Sequence, residues 1–266
     1  MMVKDIVEHF LSRADWVDRN KTVDRVIIGD PETRVRSCLV TWMPGLSALQ
    51  EAISKGHDLV ICHEPTFWDH LDRNPWGEPR AAEKLGLVEK QGLVIVRIHD
   101  SWDRWPEIGI PWAWARFLGL EGGPESVGAG GYQHRYDIDP VKLDEFALDV
   151  ASRCSSIGEP LVQVSGEPDR LVSRVGIGTG CGCAIGTYLE MGCDCSIVCD
   201  DGSIYWREIQ MAKDLGHPVI RVNHGTSEEP GMVTLTNYVA ENFPSIRVEH
   251  MPHGSSFRLV GGVFDD

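Results

Sequence analysis

Positive charge is scarce in this chain. Lys and Arg together number 25 against 40 Asp and Glu, and the formal net charge is −15. Binding through nucleic-acid phosphates needs a basic surface, so a nucleic-acid partner is not expected. An acidic cleft would instead favour cations, though weakly. Long apolar runs are also missing. No stretch of the 266 residues approaches the roughly 18–20 that a membrane helix needs. The start, Met1 to Phe10, lacks the uninterrupted apolar core of a signal peptide. A cytoplasmic protein without a membrane partner is therefore expected. No Gly-x-Ser-x-Gly elbow, Walker motif or His-Glu-x-x-His occurs, so a Ser-His-Asp mechanism has no support. What is plentiful is apolar surface, at 42% of residues. That suffices for a real core and argues against disorder.

Eight cysteines in a chain this long do not make a disulfide scaffold. Cys38, Cys62 and Cys154 stand alone in apolar or helical surroundings. Cys181, Cys183, Cys193, Cys195 and Cys199 lie close together, but structural zinc usually shows Cys-x2-4-Cys pairs far enough apart to fold a knuckle. Cys193 and Cys195 alternate along an expected strand and so share a face. The five are read as buried thiols that hold no zinc.

Helix and strand signals alternate along the chain, the grammar of an α/β protein. The first half reads as helix 3–14, strands 25–29 and 34–42, helix 46–55, strand 59–62, helix 80–91, strand 93–98 and helix 112–118. A Gly-rich stretch, 121–131, is the best internal boundary. It separates an N-terminal half, 1–125, from a C-terminal half, 132–266. The second half reads as helix 141–154, strand 171–177, a tight glycine turn, helix 183–191, strand 193–198, helix 205–215, strand 218–222, helix 224–242 and strand 246–250. The glycine turn, Gly176 to Gly182, offers two readings. Its backbone N–H groups could meet an anion, or its glycines could simply let a helix pack close to the sheet.

Three apolar runs stop on groups that bind metals. Leu59 to Cys62 ends on His63-Glu64-Pro65. Leu93 to Ile98 ends on His99-Asp100-Ser101-Trp102-Asp103. Pro218 to Val222 ends on Asn223-His224-Gly225-Thr226-Ser227-Glu228. In open α/β sheets ligands bind at strand ends. His63 and Glu64 point opposite ways on an extended strand, but a bend at the strand end lets each serve a different ion of a pair. His224 and Glu228, four apart, share a helix face if the helix starts there. Each piece alone has a bland reading as an exposed or capping group. Together they point to a hydrolytic metal site.

These three segments, in this order, resemble the signatures of the Nif-three-like family, whose members are also called GTP cyclohydrolase 1 type 2 homologues or dinuclear metal-centre hexameric proteins. Val175 to Gly182, Glu190 to Cys195 and Asp200-Asp201 resemble that family's glycine turn, following strand and acidic loop. The resemblance covers nearly the whole chain. It implies a Nif-three-like fold of two intertwined α/β domains with mixed β-sheets, a homohexameric ring, and two divalent ions: manganese, iron, magnesium or zinc. Carried over residue by residue, Glu64 and Asp103 hold one ion, His63 and His224 the other, and Glu228 bridges them. The sequence departs from the family pattern twice. Glu64 stands where a second His is usual, which favours manganese, magnesium or iron over zinc. Tyr205-Trp206 stands where a Tyr-His pair is usual, so a substrate-facing His is lost.

The expected function is a metal-dependent hydrolase acting on a nucleotide or related small molecule, with His99 as the proton-transfer candidate. The rival is a non-enzymatic metal-binding or interaction protein that keeps the site for structure or regulation.

Overall fold

The computed structural model describes residues 1–72 and 81–260. The first residue of the expected helix 80–91 and the last six of the expected C-terminal half lie outside the described residues.

Strands β1 (Arg25–Ile28), β2 (Ser37–Thr41), β3 (Leu59–Cys62) and β4 (Val94–Arg97) arise from the apolar runs of the first half. With β11 (Arg247–His250) they form a five-stranded mixed sheet in the order β1-β4-β3-β2-β11. Only β1 runs antiparallel. β2, β3 and β4 are buried along their whole length, which is why their central residues are apolar on both faces. Alternate residues serve opposite faces. Leu59 and Ile61 pack with α1 (Val3–Leu11) and α9 (His224–Asn242), while Val60 and Cys62 pack with α2 (Leu46–Ser54) and α3 (Ala81–Gln91). α2 gives way to Gly56, whose φ of +67° is left-handed, a conformation open to glycine at low cost at a helix end.

Beyond α4 (Asp100–Asp103) and α5 (Ile110–Phe117), the chain builds a six-stranded mixed sheet. Its order is β5-β6-β8-β9-β10-β7. The strands are β5 (Ser126–Gly128), β6 (Gln133–Lys142), β7 (Gln163–Ser165), β8 (Leu171–Ile177), β9 (Cys195–Cys199) and β10 (Val219–Val222). The helices of this part are α6 (Leu143–Ser155), α7 (Ile185–Glu190) and α8 (Gln210–Asp214), the last preceded by a π-turn at Tyr205–Ile209. β8, β9 and β10 are parallel. The chain then returns: β11 pairs with β2 of the first sheet. α9 starts at the end of β10 and packs its Met232, Leu235 and Val239 into the first sheet's core. The ends of β3, β4 and β10 thus meet where α9 begins.

β6 differs from the sequence reading, which had no strand before its helix at 141–154. Gln133 to Lys142 is rich in charge and contains Pro140. A register shift between Asp137 and Val141 accommodates that proline, since a proline cannot donate to the ladder.

Candidate metal centre

His63 and Glu64 follow directly on β3. Their backbone N–H groups both donate to the Trp42 carbonyl, at 3.0 and 2.8 Å, and this bends the chain out of the sheet. His63 is fully buried. Its Nδ1–H donates to the Ile98 carbonyl at 3.1 Å. A carbonyl only accepts, so this bond fixes the tautomer and leaves Nε2 as the free donor atom of the neutral ring. His63 Nε2 lies 3.3 Å from Asp103 Oδ1 and 3.5 Å from Glu228 Oε2. It is aligned with neither and has no hydrogen-bond partner. A buried, unpartnered imidazole nitrogen between two carboxylates is unusual, and a cation there would satisfy all three groups.

His99 precedes the single turn α4, and Asp103 is its last residue. Asp24, buried just before β1, holds this turn. It accepts from the N–H groups of His99, Asp100 and Ser101 at 2.8, 2.7 and 2.9 Å. Asp103 Oδ2 comes 3.1 Å from His99 Nδ1, which also contacts Asp100 Oδ1 at 3.0 Å. The His63 and His99 rings stack with centroids 4.4 Å apart.

His224 is the first residue of α9. No Ser or Thr caps this helix; the N–H of His224 donates to Asp200 Oδ1 at 2.6 Å, and Asp201 Oδ2 meets His224 Nδ1 at 3.0 Å. One turn on, Glu228 Oε2 lies 3.0 Å from His224 Nε2 and accepts from Trp42 Nε1–H at 2.8 Å. Glu64 Oε1 lies 3.6 Å from His224 Nε2 and 3.5 Å from His99 Nε2. All six residues singled out in the sequence therefore converge. Donor atoms of His63, His99 and Asp103, and of His63, Glu64 and Glu228, lie within 4.8 Å of one another. Asp103 lies against His63 and His99, Glu64 against His224 and His99, and Glu228 Oε2 within reach of the His63 and His224 imidazoles. The Ile98 anchor aims His63 Nε2 at the Asp103 and Glu228 carboxylates.

The electrostatics suit a cation. Burial pushes the His224 imidazolium down, but the charge of Glu228, with Asp201 and Glu64, overrides it and lifts the group to about 12. His99 is raised well above its ordinary value despite burial, chiefly by Asp103. Burial raises the Glu64 carboxyl, yet His99, His63 and His224 bring it well below the usual carboxylate range. Without an ion, protons on the imidazoles balance the carboxylates.

The glycine turn shapes the wall. Gly180 has φ +51°, and a Cβ there would come 2.7 Å from His224 Nε2 and 2.9 Å from Glu228 Oε1. At Gly178 a Cβ would meet the Gly182 carbonyl oxygen at 2.2 Å. Close backbone approach accounts for these glycines. Cys183, Cys193, Cys195 and Cys199 are buried in the core of the second sheet, and Cys181 is exposed at the site's rim. A cavity of about 390 Å³ opens over the ligands, lined also by His70, Tyr132, Cys181 and Asp201. Tyr205 and Trp206 are exposed and do not line it.

Asp24, Trp42 and Arg97 were not visible in the sequence as parts of the site. Arg97 ends β4 and is fully buried, 3.4 Å from Glu64. Their partners are remote along the chain, and no spacing rule points to them.

The family model for Duf34/NIF3 (NGG1p interacting factor 3) matches residues 1–254. Among solved structures, the chain is similar to the Staphylococcus aureus hypothetical protein SA1388, with a TM-score of 0.81 and 18% identity over 98% of this chain and 99% of that one. The Bacillus cereus protein related to NIF3 gives 0.73 and 14% identity over 100% and 99%. Reduced HcgD from Methanocaldococcus jannaschii gives 0.69 and 18% identity over 94% and 97%. No curated protein matches the chain in sequence.

Proposed function

The chain belongs to the Duf34/NIF3 family, and from its site we propose a dinuclear divalent-metal protein that hydrolyses a nucleotide or a related small molecule. The observation that carries this reading is His63 Nε2, buried and unpartnered between the Asp103 and Glu228 carboxylates. Asp103, His63 and Glu228 would hold an inner ion. Glu64, His224 and Glu228 would hold an outer one, nearer the cavity. Two such ions, when bound, activate water and stabilise a developing oxyanion.

The chain's own residues support that chemistry in three ways. Ile98, Asp201 and Trp42 fix the orientation of His63, His224 and Glu228, as groups behind a ligand commonly do. His99, which contacts Asp100, Asp103 and Glu64, would take or give a proton at the cavity wall. The cavity's volume suits a small molecule. A homohexamer, as the family resemblance implies, belongs to the same proposal. Among the described residues no helix is long and apolar enough to cross a membrane.

The test is elemental analysis of the purified protein, then a screen of nucleotides with manganese, iron(II), magnesium or zinc. Stoichiometric metal with metal-dependent turnover supports the proposal. Stoichiometric metal without turnover favours a binding or regulatory protein, and no metal rejects the site.

A further inference from the structure

Arg97 is the last residue of β4, paired in register with Cys62 of β3. Its side chain has no solvent exposure. A buried guanidinium is costly unless paired and hydrogen-bonded. Its nitrogens turn to the segment that carries the first two ligands. Nε donates to the His63 carbonyl at 2.7 Å, Nη1 donates to the His70 carbonyl, and Nη2 faces Glu64 Oε2 at 3.4 Å. Only the last of these partners bears a charge.

Glu64 is thereby divided. Oε2 serves Arg97, and Oε1 faces His224 and His99. An imidazole at position 64 would bring no negative charge. It would leave the guanidinium buried, without a counter-charge, and close to a divalent ion. Like charges at such range in a partly desolvated site repel strongly. A carboxylate separates them.

We propose that Arg97 is a specificity-determining residue. By requiring a carboxylate at position 64 it fixes a hard oxygen donor on the cavity side of the site, and so biases the outer ion toward manganese, iron(II) or magnesium relative to zinc. This inference rests on the two-ion reading above. Arg97 acts through Glu64 and is a positioning residue, not a ligand.

The experiment compares the parent, Glu64→His, Arg97→Gln and the double variant. Each is stripped by a chelator, offered equimolar manganese and zinc, and measured for bound metal and melting temperature. Glu64→His alone is expected to weaken one ion by about tenfold or more, the size typical of lost support behind a ligand, and to melt lower. Adding Arg97→Gln should restore that ion and raise the bound zinc-to-manganese ratio about tenfold over the parent. Glu64→His that fills both positions as well as the parent overturns the inference. So does a double variant no better than Glu64→His, since Arg97 would then only anchor the His63 and His70 carbonyls. If the double variant does not fold, Arg97→Lys decides. It keeps the charge, so the parent's metal ratio should persist, and a shift to zinc overturns the inference. A parent that binds no ion rejects the two-ion reading and this inference together, whereas the other failures leave that reading standing.

Discussion

The indole N–H of Trp42 donates to Glu228 Oε2 at 2.8 Å, the oxygen that lies within 3.5 Å of both His63 and His224. The ring also packs edge-on against His224, with centroids 5.2 Å apart. Trp42 follows β2, so it ties the first sheet to the start of α9. Trp42→Phe keeps an aromatic ring and deletes the donor. Metal affinity should fall by about 10–100-fold, with little change in the melting temperature of the metal-free protein. Chelator competition measures the first and circular dichroism the second. An unchanged affinity means that Glu228 is held without the indole.

Gly180→Ala should empty the site with little effect on the core. The residue's φ of +51° disfavours any side chain, and the new methyl would collide with His224 Nε2 and Glu228 Oε1. Elemental analysis should show a deficit of metal in a protein whose far-ultraviolet circular dichroism matches the parent. Full occupancy would show that the turn can withdraw from the ligands.

Asp24→Ala removes one carboxylate that three backbone N–H groups and the Ser101 hydroxyl share. Leaving buried donors unsatisfied costs about 1–3 kcal/mol, so a loss of that order is expected in urea unfolding. The turn carrying His99 and Asp103 should loosen with it, and faster hydrogen exchange at residues 99–103 is the local readout. Exchange unchanged there would show that the turn is held by other contacts.

The site's pH dependence follows from its shifted groups. His224 has an ordinary value of 6.5 and is lifted to about 12 in the fold. Its proton therefore stabilises the metal-free protein fully below pH 6.5, and that contribution is lost as pH rises toward 12. Glu64 and Asp103 are held below their ordinary 4.5 and 3.8. Their contribution is present above those values and lost as pH falls through the lowered ones. For these groups the metal-free protein is most stable between about 4.5 and 6.5. Divalent ions displace the imidazole protons, so their binding tightens with pH. The melting-temperature gap between manganese-loaded and metal-free protein should widen from about pH 6 to about pH 8. A gap that stays constant would mean that no ion displaces these protons.

The strand ends were legible because the parallel strands are buried on both faces. Leu59–Cys62 and Val94–Val96 read as unbroken apolar runs, and polar ligand groups follow where each strand leaves the sheet. His224 and Glu228 were legible as one face of a long helix. β6 was not, because its charges and Pro140 mimic a loop and only pairing with β5 and β8 makes it a strand. β5 and β7, of three residues each, fall below any periodic signal. The residues behind the ligands were hidden for a different reason. Asp24 and His99 are 75 positions apart, and Trp42 and Glu228 are 186 apart. A hydrogen bond across that distance depends on which strands pair, as β1 with β4, and on where α9 packs against the first sheet, which no local pattern encodes.

Glu228 gives the sharpest division between the ligands. Asp103 lies against His63 and His99, and Glu64 against His224, His99 and Arg97, whereas Glu228 Oε2 faces both His63 and His224. Asp103→Ala or Glu64→Ala should each cost about one ion and spare the other. Glu228→Ala deletes the shared anion, leaving two divalent charges facing each other with less negative charge between them. Their repulsion is large even when strongly screened. Glu228→Ala should therefore lose more than one equivalent of metal. The variant also strands the Trp42 N–H, at a cost of about 1–3 kcal/mol. That is a fraction of the stability of a typical domain, so folding should survive. Elemental analysis across the three variants, with a melt for each, decides the matter. If Glu228→Ala retains as much metal as the parent, the residue is not shared. If it fails to fold, the carboxylate is structural, and the reading of the site as chemistry loses ground to the reading of it as architecture.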